Sequence, residues 1–139
     1  VIGKVDINSP IPLQVSSKSG DKLLGVSGVV RGIYSNTNLS AGTPRVTAVT
    51  VPAGEMWMIT HFGIAYVGTV STVVLYLELT VSTSIYKIGW FTPVVNAGWY
   101  FSPAPILVIA GESLGGQVFN ATAGDDVYIQ WIGYKMNLP

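Results

Sequence analysis

The sequence contains no cysteine and only one histidine, His61. Without cysteine the chain forms neither disulfide bonds nor thiolate metal sites. The sequence therefore does not indicate whether the protein works in an oxidising or a reducing compartment. A single histidine cannot supply the several ligands of a catalytic metal centre, and it is the only histidine available to a serine triad. We therefore expect no enzymatic activity, no metal and no cofactor, and we expect His61 to pack in the domain or at an interface.

Charged side chains are also scarce. They make up 10% of the residues, with seven basic and seven acidic side chains in balance, whereas about 25% is usual in soluble domains. Because phosphate chains are bound by clustered cations, the sequence predicts no nucleic-acid partner. So low a charge also indicates that other subunits cover part of the surface, and we expect a homo-oligomer.

Two stretches, residues 56–77 and 88–111, contain no Asp, Glu, Lys or Arg. Each is long enough for a helix that crosses a bilayer. A turn-forming segment at residues 68–72 interrupts the first stretch, and three prolines interrupt the second. The sequence therefore predicts no membrane span.

Short strands are what the sequence favours instead. Hydrophobic residues make up 49% of the chain alongside 16 glycines, and no stretch repeats at helical period. The clearest alternation has Val73, Leu75 and Leu77 on one face and Tyr76 and Glu78 on the other. We predict an all-β jelly-roll sandwich or barrel at residues 22–139. Its strands are expected at residues 23–34, 45–51, 56–67, 73–81, 84–91, 106–109, 116–120 and 127–136, with a connection at 92–105 and a turn at 111–116.

On the third predicted strand, simple alternation puts five apolar side chains on one face. They are Met56, Met58, Phe62, Ile64 and Tyr66.

Residues 1–21 differ in composition from the rest and are predicted to form an extended N-terminal arm. Pro10 and Pro12, on either side of Ile11, enforce extended backbone and remove two hydrogen-bond donors. One interpretation is a frayed terminus or an edge strand. The other is an assembly arm that leaves the domain and pairs with a neighbouring subunit.

A three-residue pattern of alanine, glycine and an acidic residue precedes three of the predicted strands. Glycine allows the positive φ of a tight corner, and the carboxylate can accept hydrogen bonds from the turn. If the three corners were adjacent, their carboxylates could instead hold Ca²⁺. The acidic residues are Glu55, Glu112 and Asp125.

Aromatic side chains are concentrated in the second half of the chain. Since neighbours on a strand point to opposite faces, they cannot all face one core. Three explanations stay open: packing of the barrel end, a subunit interface, or a platform that stacks on sugar rings. The candidate residues are Trp90, Trp99, Tyr100, Phe101, Tyr128, Trp131 and Tyr134.

The stretch from Val51 to Lys135 resembles the small single jelly-roll proteins of virus and phage particles. This family includes capsid decoration proteins and the trimeric heads of tail fibres. The resemblance lies in the residues 51–55, 109–112 and 120–128. It implies a structural virion protein that self-assembles, with a trimer favoured, and that contacts other virion proteins. The alternatives are a receptor- or carbohydrate-binding head of a phage fibre and a bacterial carbohydrate-binding module, both of which would bind a glycan or receptor.

Overall fold

The computed structural model describes residues 26–69, 72–92, 94 and 96–137, so the predicted arm with Pro10, Ile11 and Pro12 lies outside the described residues. Within them the chain forms nine strands and no helix, and hence no helix that could cross a membrane. The strands are β1 (Gly28–Asn36), β2 (Arg45–Thr50), β3 (Glu55–Val67), β4 (Val74–Val81), β5 (Ser84–Phe91), β6 (Trp99–Phe101), β7 (Ile106–Ile109), β8 (Ser113–Phe119) and β9 (Asp126–Asn137).

These strands form two antiparallel sheets. Sheet I has the order β1-β9-β3, with β6 and β7 both paired to β3 at its other edge, and sheet II has the order β2-β8-β4-β5. The chain passes repeatedly from one sheet to the other, which is the topology of a jelly roll, and the predicted fold class is confirmed. The largest fully buried side chains of the core include Ile59, Phe62, Ile64, Tyr66, Leu75, Leu77, Leu114 and Ile129.

A β-bulge at Thr60 divides β3 into two parts with opposite facing. Ile59 pairs with Gly133 and His61 pairs with Ile132, so Thr60 is the extra residue. Its hydroxyl donates a hydrogen bond to the Ile132 carbonyl at 3.1 Å. An extra residue exchanges the two faces of every position on one side of it.

The sequence prediction for β3 is therefore wrong in its first half. Phe62, Ile64 and Tyr66 face the core as expected, but Met56 and Met58 face outward. Their places in the core are taken by Trp57 and Ile59, which are both buried.

Two further segments differ from the sequence prediction. Residues 113–116, predicted as part of a turn, begin β8; glycine stands at 115 because a Cβ there would overlap the Val46 carbonyl oxygen of β2. Strand β6 lies inside the predicted connection and pairs with β3. With three residues between proline-rich flanks, β6 is too short for alternation to reveal it.

Candidate functional site

The three acidic corners are divided between the two ends of the sandwich, two at one end and one at the other. The corners at Gly54 and Gly111 meet, because the Val51 N–H donates a hydrogen bond to the Glu112 carbonyl and the Gly111 N–H donates one to the Val51 carbonyl. The corner at Gly124 bonds instead to Leu39 at the opposite end. The three glycines have φ of +79°, +85° and +89°, as the corner pattern predicts.

Each corner carboxylate accepts hydrogen bonds from other groups of the protein. Glu55 accepts hydrogen bonds from the Trp57 indole at 2.6 Å and from Lys135 at 3.3 Å, which hold the pKa of Glu55 below its usual range. Glu112 accepts one from the Ile109 N–H at 2.9 Å. Since Asp125 stands at the other end, the hypothesis of one cation site from all three corners is wrong.

Asp125 anchors the corner before β9. It is buried, accepts a hydrogen bond from the Thr122 N–H at 2.9 Å, and accepts another from the Tyr66 hydroxyl. Burial, followed by the nearby carboxylate of Asp125, raises the pKa of Tyr66. This pair therefore fixes the loop end of the fold.

Residues 111–115 match the Gly-x-Ser-x-Gly spacing of a hydrolase nucleophile elbow. They lead into strand β8 rather than into a helix, and the Ser113 hydroxyl lies 2.7 Å from that of Thr50. His61 stands on sheet I, whereas Ser113 stands on sheet II. The two side chains lie on opposite outer faces and cannot form a nucleophile–base pair.

The outer face of sheet I, which we name the apolar face, carries large hydrophobic side chains on every strand. Its charged side chains at the described outward positions are Arg31 and, at one end, Asp126. Eight large apolar or aromatic side chains there retain between 38% and 63% exposure. They are Val29 and Ile33 on β1, Ile132 and Tyr134 on β9, Trp99 and Phe101 on β6, and Leu107 and Ile109 on β7.

Register aligns these side chains in rows across the sheet. One row contains Val29, Tyr134, Met58 and Leu107, one from each strand. At the β6 edge the Phe101 ring covers Gly63, where a Cβ would overlap it. The same ring lies 6.2 Å from the ring of Trp99 in a stacked arrangement. The apolar face is thus a continuous surface across the width of sheet I.

The outer face of sheet II, which we name the mixed face, combines aromatic, charged and amide side chains. One cross-strand row runs from Arg45 on β2 through Gln117 on β8 and Tyr76 on β4 to Trp90 on β5. Trp90 is 70% exposed, and its ring lies 6.2 Å from that of Tyr76. An exposed indole therefore ends a row of hydrogen-bonding side chains.

Hydrogen bonds hold the polar side chains of the mixed face in place. Arg45 donates to both carboxylate oxygens of Glu78, at 2.7 and 3.2 Å, and to the Gln117 side-chain oxygen at 3.2 Å. The Glu78 side chain is 2% exposed and that of Arg45 is 44% exposed. Lys87, opposite Glu78, places its ammonium 3.6 Å from the centre of the Tyr76 ring.

The aromatic residues singled out in the sequence divide among three environments. Trp99, Phe101, Tyr128 and Tyr134 lie on the apolar face, and Trp90 lies on the mixed face. Tyr100 and Trp131 point inward instead; Trp131 is buried against Gly32, and Tyr100 packs on the core beside Phe91. Neither belongs to an outer face.

Sequence reasoning missed the aliphatic part of the apolar face and the polar part of the mixed face. Strand β7, with four apolar residues in succession, carried a signal, because a strand with one wet face alternates. No pattern in the sequence indicated that Met56 and Met58 face outward, because their facing depends on the bulge. The Arg45–Glu78 pair joins residues 33 positions apart and follows only from the strand order.

No protein-family model matches the sequence, and no curated protein matches it significantly. Among solved structures, a chain of the acidic stable capsid of Helicobacter pylori bacteriophage KHP30 is similar, with a TM-score of 0.48 and 10% identity over 78% of this chain and 100% of that chain. The Drosophila NLP core, described for pentamer formation and histone binding, has a TM-score of 0.37 and 10% identity, covering 80% of this chain and 100% of that chain.

A chain of infectious bursal disease virus, Gx strain, has a TM-score of 0.34 and 10% identity over 80% of this chain. The match covers 40% of that viral chain, so this chain spans less than half of its length.

Proposed function

We propose that this chain is a structural subunit of a virus or phage particle, a capsid decoration or minor capsid protein located in the virion. It self-associates and stabilises the particle by burying apolar surface, and it needs no catalytic group for that role. The observation that carries the proposal is the apolar face of sheet I. Soluble monomers rarely expose continuous apolar patches larger than a few hundred Å².

The extent of the apolar face suits a subunit interface. Five cross-strand rows about 7 Å apart on four strands about 4.8 Å apart span roughly 500 Å² of sheet plane. A standard protein interface buries about 800 Å² on each partner. Side chains that project from the plane add accessible area, so this one face accounts for most of such a contact.

A second copy of the chain is the occupant that the charges favour. Near the centre of the face, Arg31 is the only formal charge at an outward strand position of the described residues, and its cross-strand neighbour is Ile132. Two copies can therefore meet face to face or side by side with little like-charge repulsion. A homotrimer is the assembly favoured by the resemblance to fibre heads, and other virion proteins are the remaining partners.

The test is light scattering and sedimentation of the full chain at micromolar concentration, with Ile132→Glu as the variant. We expect discrete oligomers of the wild type and a shift toward monomer of at least tenfold in the dissociation constant of the variant, because a carboxylate would be buried in the interface. Arg31 lies opposite in the same subunit and can pair with the new carboxylate, so the fold is kept.

Ile85→Glu is the matched control for this experiment. Ile85 is 40% exposed on sheet II and Ile132 is 44% exposed on sheet I, so the same change is made at similar exposure on the opposite face. We expect Ile85→Glu to leave the oligomer unchanged. A monodisperse wild-type monomer, or equal weakening by both variants, would contradict the proposal.

A further inference from the structure

The mixed face combines a widely exposed aromatic ring with hydrogen-bonding groups that are already fixed. Lys87 covers the ring of Tyr76, whereas the indole of Trp90 is 70% exposed and open to a ligand. Farther along the same row, Arg45 and Gln117 are oriented by hydrogen bonds before any ligand arrives. Groups that are held in place lose little freedom on binding.

The chemistry of this row disfavours two classes of macromolecule. A protein partner would need a broad apolar centre. On the mixed face, the row of Glu78 and Lys87 separates Ile85 from Trp90, and Phe119 lies two strands away from Trp90. A nucleic acid would need several unpaired cations. Arg45 is neutralised by Glu78, so Lys87 is the one remaining cation in the row of Trp90 and the adjacent row of Glu78.

A carbohydrate can use both the aromatic and the hydrogen-bonding side chains of the row. The C–H face of a sugar ring packs on an aromatic ring, and its hydroxyls pair with amide, guanidinium and ammonium groups. Trp90 and Arg45 are three strand spacings apart, which is about 14 Å. The row is therefore longer than one sugar and fits a short chain of them.

We propose that the mixed face is a carbohydrate-binding site that stacks a sugar ring on Trp90 and hydrogen-bonds the neighbouring sugars through Lys87, Gln117 and Arg45. The site lies on the side of the sandwich opposite the apolar face. Glycan binding and self-association are therefore independent, and a subunit that buries its apolar face keeps the mixed face open to solvent.

The experiment is an array of neutral and acidic oligosaccharides probed with the full chain, followed by titration of the oligosaccharides that bind. Trp90→Ala is expected to weaken binding about tenfold or more, since the stacking surface is lost, and Trp90→Phe is expected to restore part of it. Because Trp90 is exposed, these variants keep the fold, which circular dichroism and thermal unfolding verify.

Trp99→Ala is the matched control, because Trp99 is an exposed tryptophan on the apolar face. In the titration with free oligosaccharide, which measures each site separately and does not depend on the number of subunits, it is expected to bind within twofold of the wild type. Absence of any array signal, binding by Trp90→Ala within twofold of the wild type, or loss in Trp99→Ala but not in Trp90→Ala would each overturn the proposal. Light scattering reports on self-association separately, so either result leaves the oligomer test standing.

Discussion

The outward positions of β9 on sheet I include Ile132 and Tyr134, whereas those of β4 on sheet II include Glu78 and Thr80. Both strands lie in the interior of their sheets and alternate in the same way, with apolar residues facing the shared core. The core therefore explains only the inward positions. The core does not account for the difference between the outward positions, which we propose follows from what each face contacts.

On the mixed face, polar side chains are bonded to one another. The buried carboxylate of Glu78 is neutralised by Arg45, which also binds Gln117. A buried charge is tolerated only when it is paired in this way. The apolar face carries no ion pair among the described residues. Its polar contacts include those of Tyr128 with Asp126 at 3.3 Å and of Thr60 with His61 at 3.1 Å, but most of its large side chains are apolar. Water suits the mixed face, and a second protein surface suits the apolar face.

The largest expected effect comes from deleting Thr60, because the deletion exchanges core and surface side chains in part of β3. Without the extra residue, the first half of β3 must exchange its faces, so that Trp57 and Ile59 turn outward and Met56 and Met58 turn inward. Loss of burial of two large side chains costs about 4 kcal/mol, and we expect the variant to be largely unfolded in a chemical denaturation experiment.

Thr60→Ala is the control for the deletion. It keeps the bulge and removes the contacts of the hydroxyl with the Ile132 carbonyl and with Nδ1 of His61, for a cost of about 1 kcal/mol in the free energy of unfolding. If the deletion lowered the free energy of unfolding no more than Thr60→Ala does, the bulge would not be what determines which side chains of β3 face the core.

The fold could be read from the sequence wherever side-chain alternation was undisturbed. Strand β5 matches its predicted bounds, and the inward side chains Val73, Leu75 and Leu77 match theirs. Alternation counts residues along one chain, however, and a bulge is set by the partner strand, so the facing of Met58 was not readable. The glycines of β8 look like turn residues until the nearness of Val46 is known.

The surfaces could be read only in part. The cluster of aromatic residues pointed to an interaction surface, but it mixed the exposed Trp99 with the inward Trp131 and with Trp90 on the other face. Which sheet a strand joins depends on long-range pairing, and no local pattern encodes it. The scarcity of charge indicated that part of the surface is covered, without indicating which part.

A smaller effect is expected from Arg45→Met, which sharpens the comparison by making the mixed face more apolar. The change leaves the buried Glu78 carboxylate without its ion-pair partner. We expect a loss of about 2 kcal/mol in the free energy of unfolding, below the value for a fully buried pair because Arg45 is 44% exposed.

The measurement for Arg45→Met is urea denaturation, with Arg31→Met as the control on the apolar face. No ion pair is broken by the control in the described part of the chain, so we expect less than about 0.5 kcal/mol. Equal losses in the two variants would mean that the Glu78 pair contributes no more than an exposed arginine does.

The smallest effect is expected in the core between the faces, from Tyr66→Phe. The change removes a hydrogen bond to the buried Asp125, which costs about 1.5 kcal/mol at neutral pH. Because the folded state raises the pKa of Tyr66 above its ordinary value of 10.0, the neutral hydroxyl stabilises the fold. That contribution is complete below pH 10 and is lost as the pH rises through the folded-state pKa.

Denaturation at pH 8 and pH 11 measures this contribution as the difference between wild type and Tyr66→Phe. The difference should shrink at the higher pH, because the unfolded wild type then gains stability by ionising. Tyr128, whose pKa is raised by burial and then by Asp126, is present in both proteins and cancels. Tyr86→Phe, at an exposed position on β5, should match the wild type at pH 8. A difference that stays constant between pH 8 and pH 11 would mean that the Tyr66 hydroxyl is not held neutral by its burial.

Since Tyr66 points into the core, neither the oligomer nor any glycan binding should change at neutral pH. A change in the oligomer alone would link Tyr66 to the apolar face, and a change in glycan binding alone would link it to the mixed face.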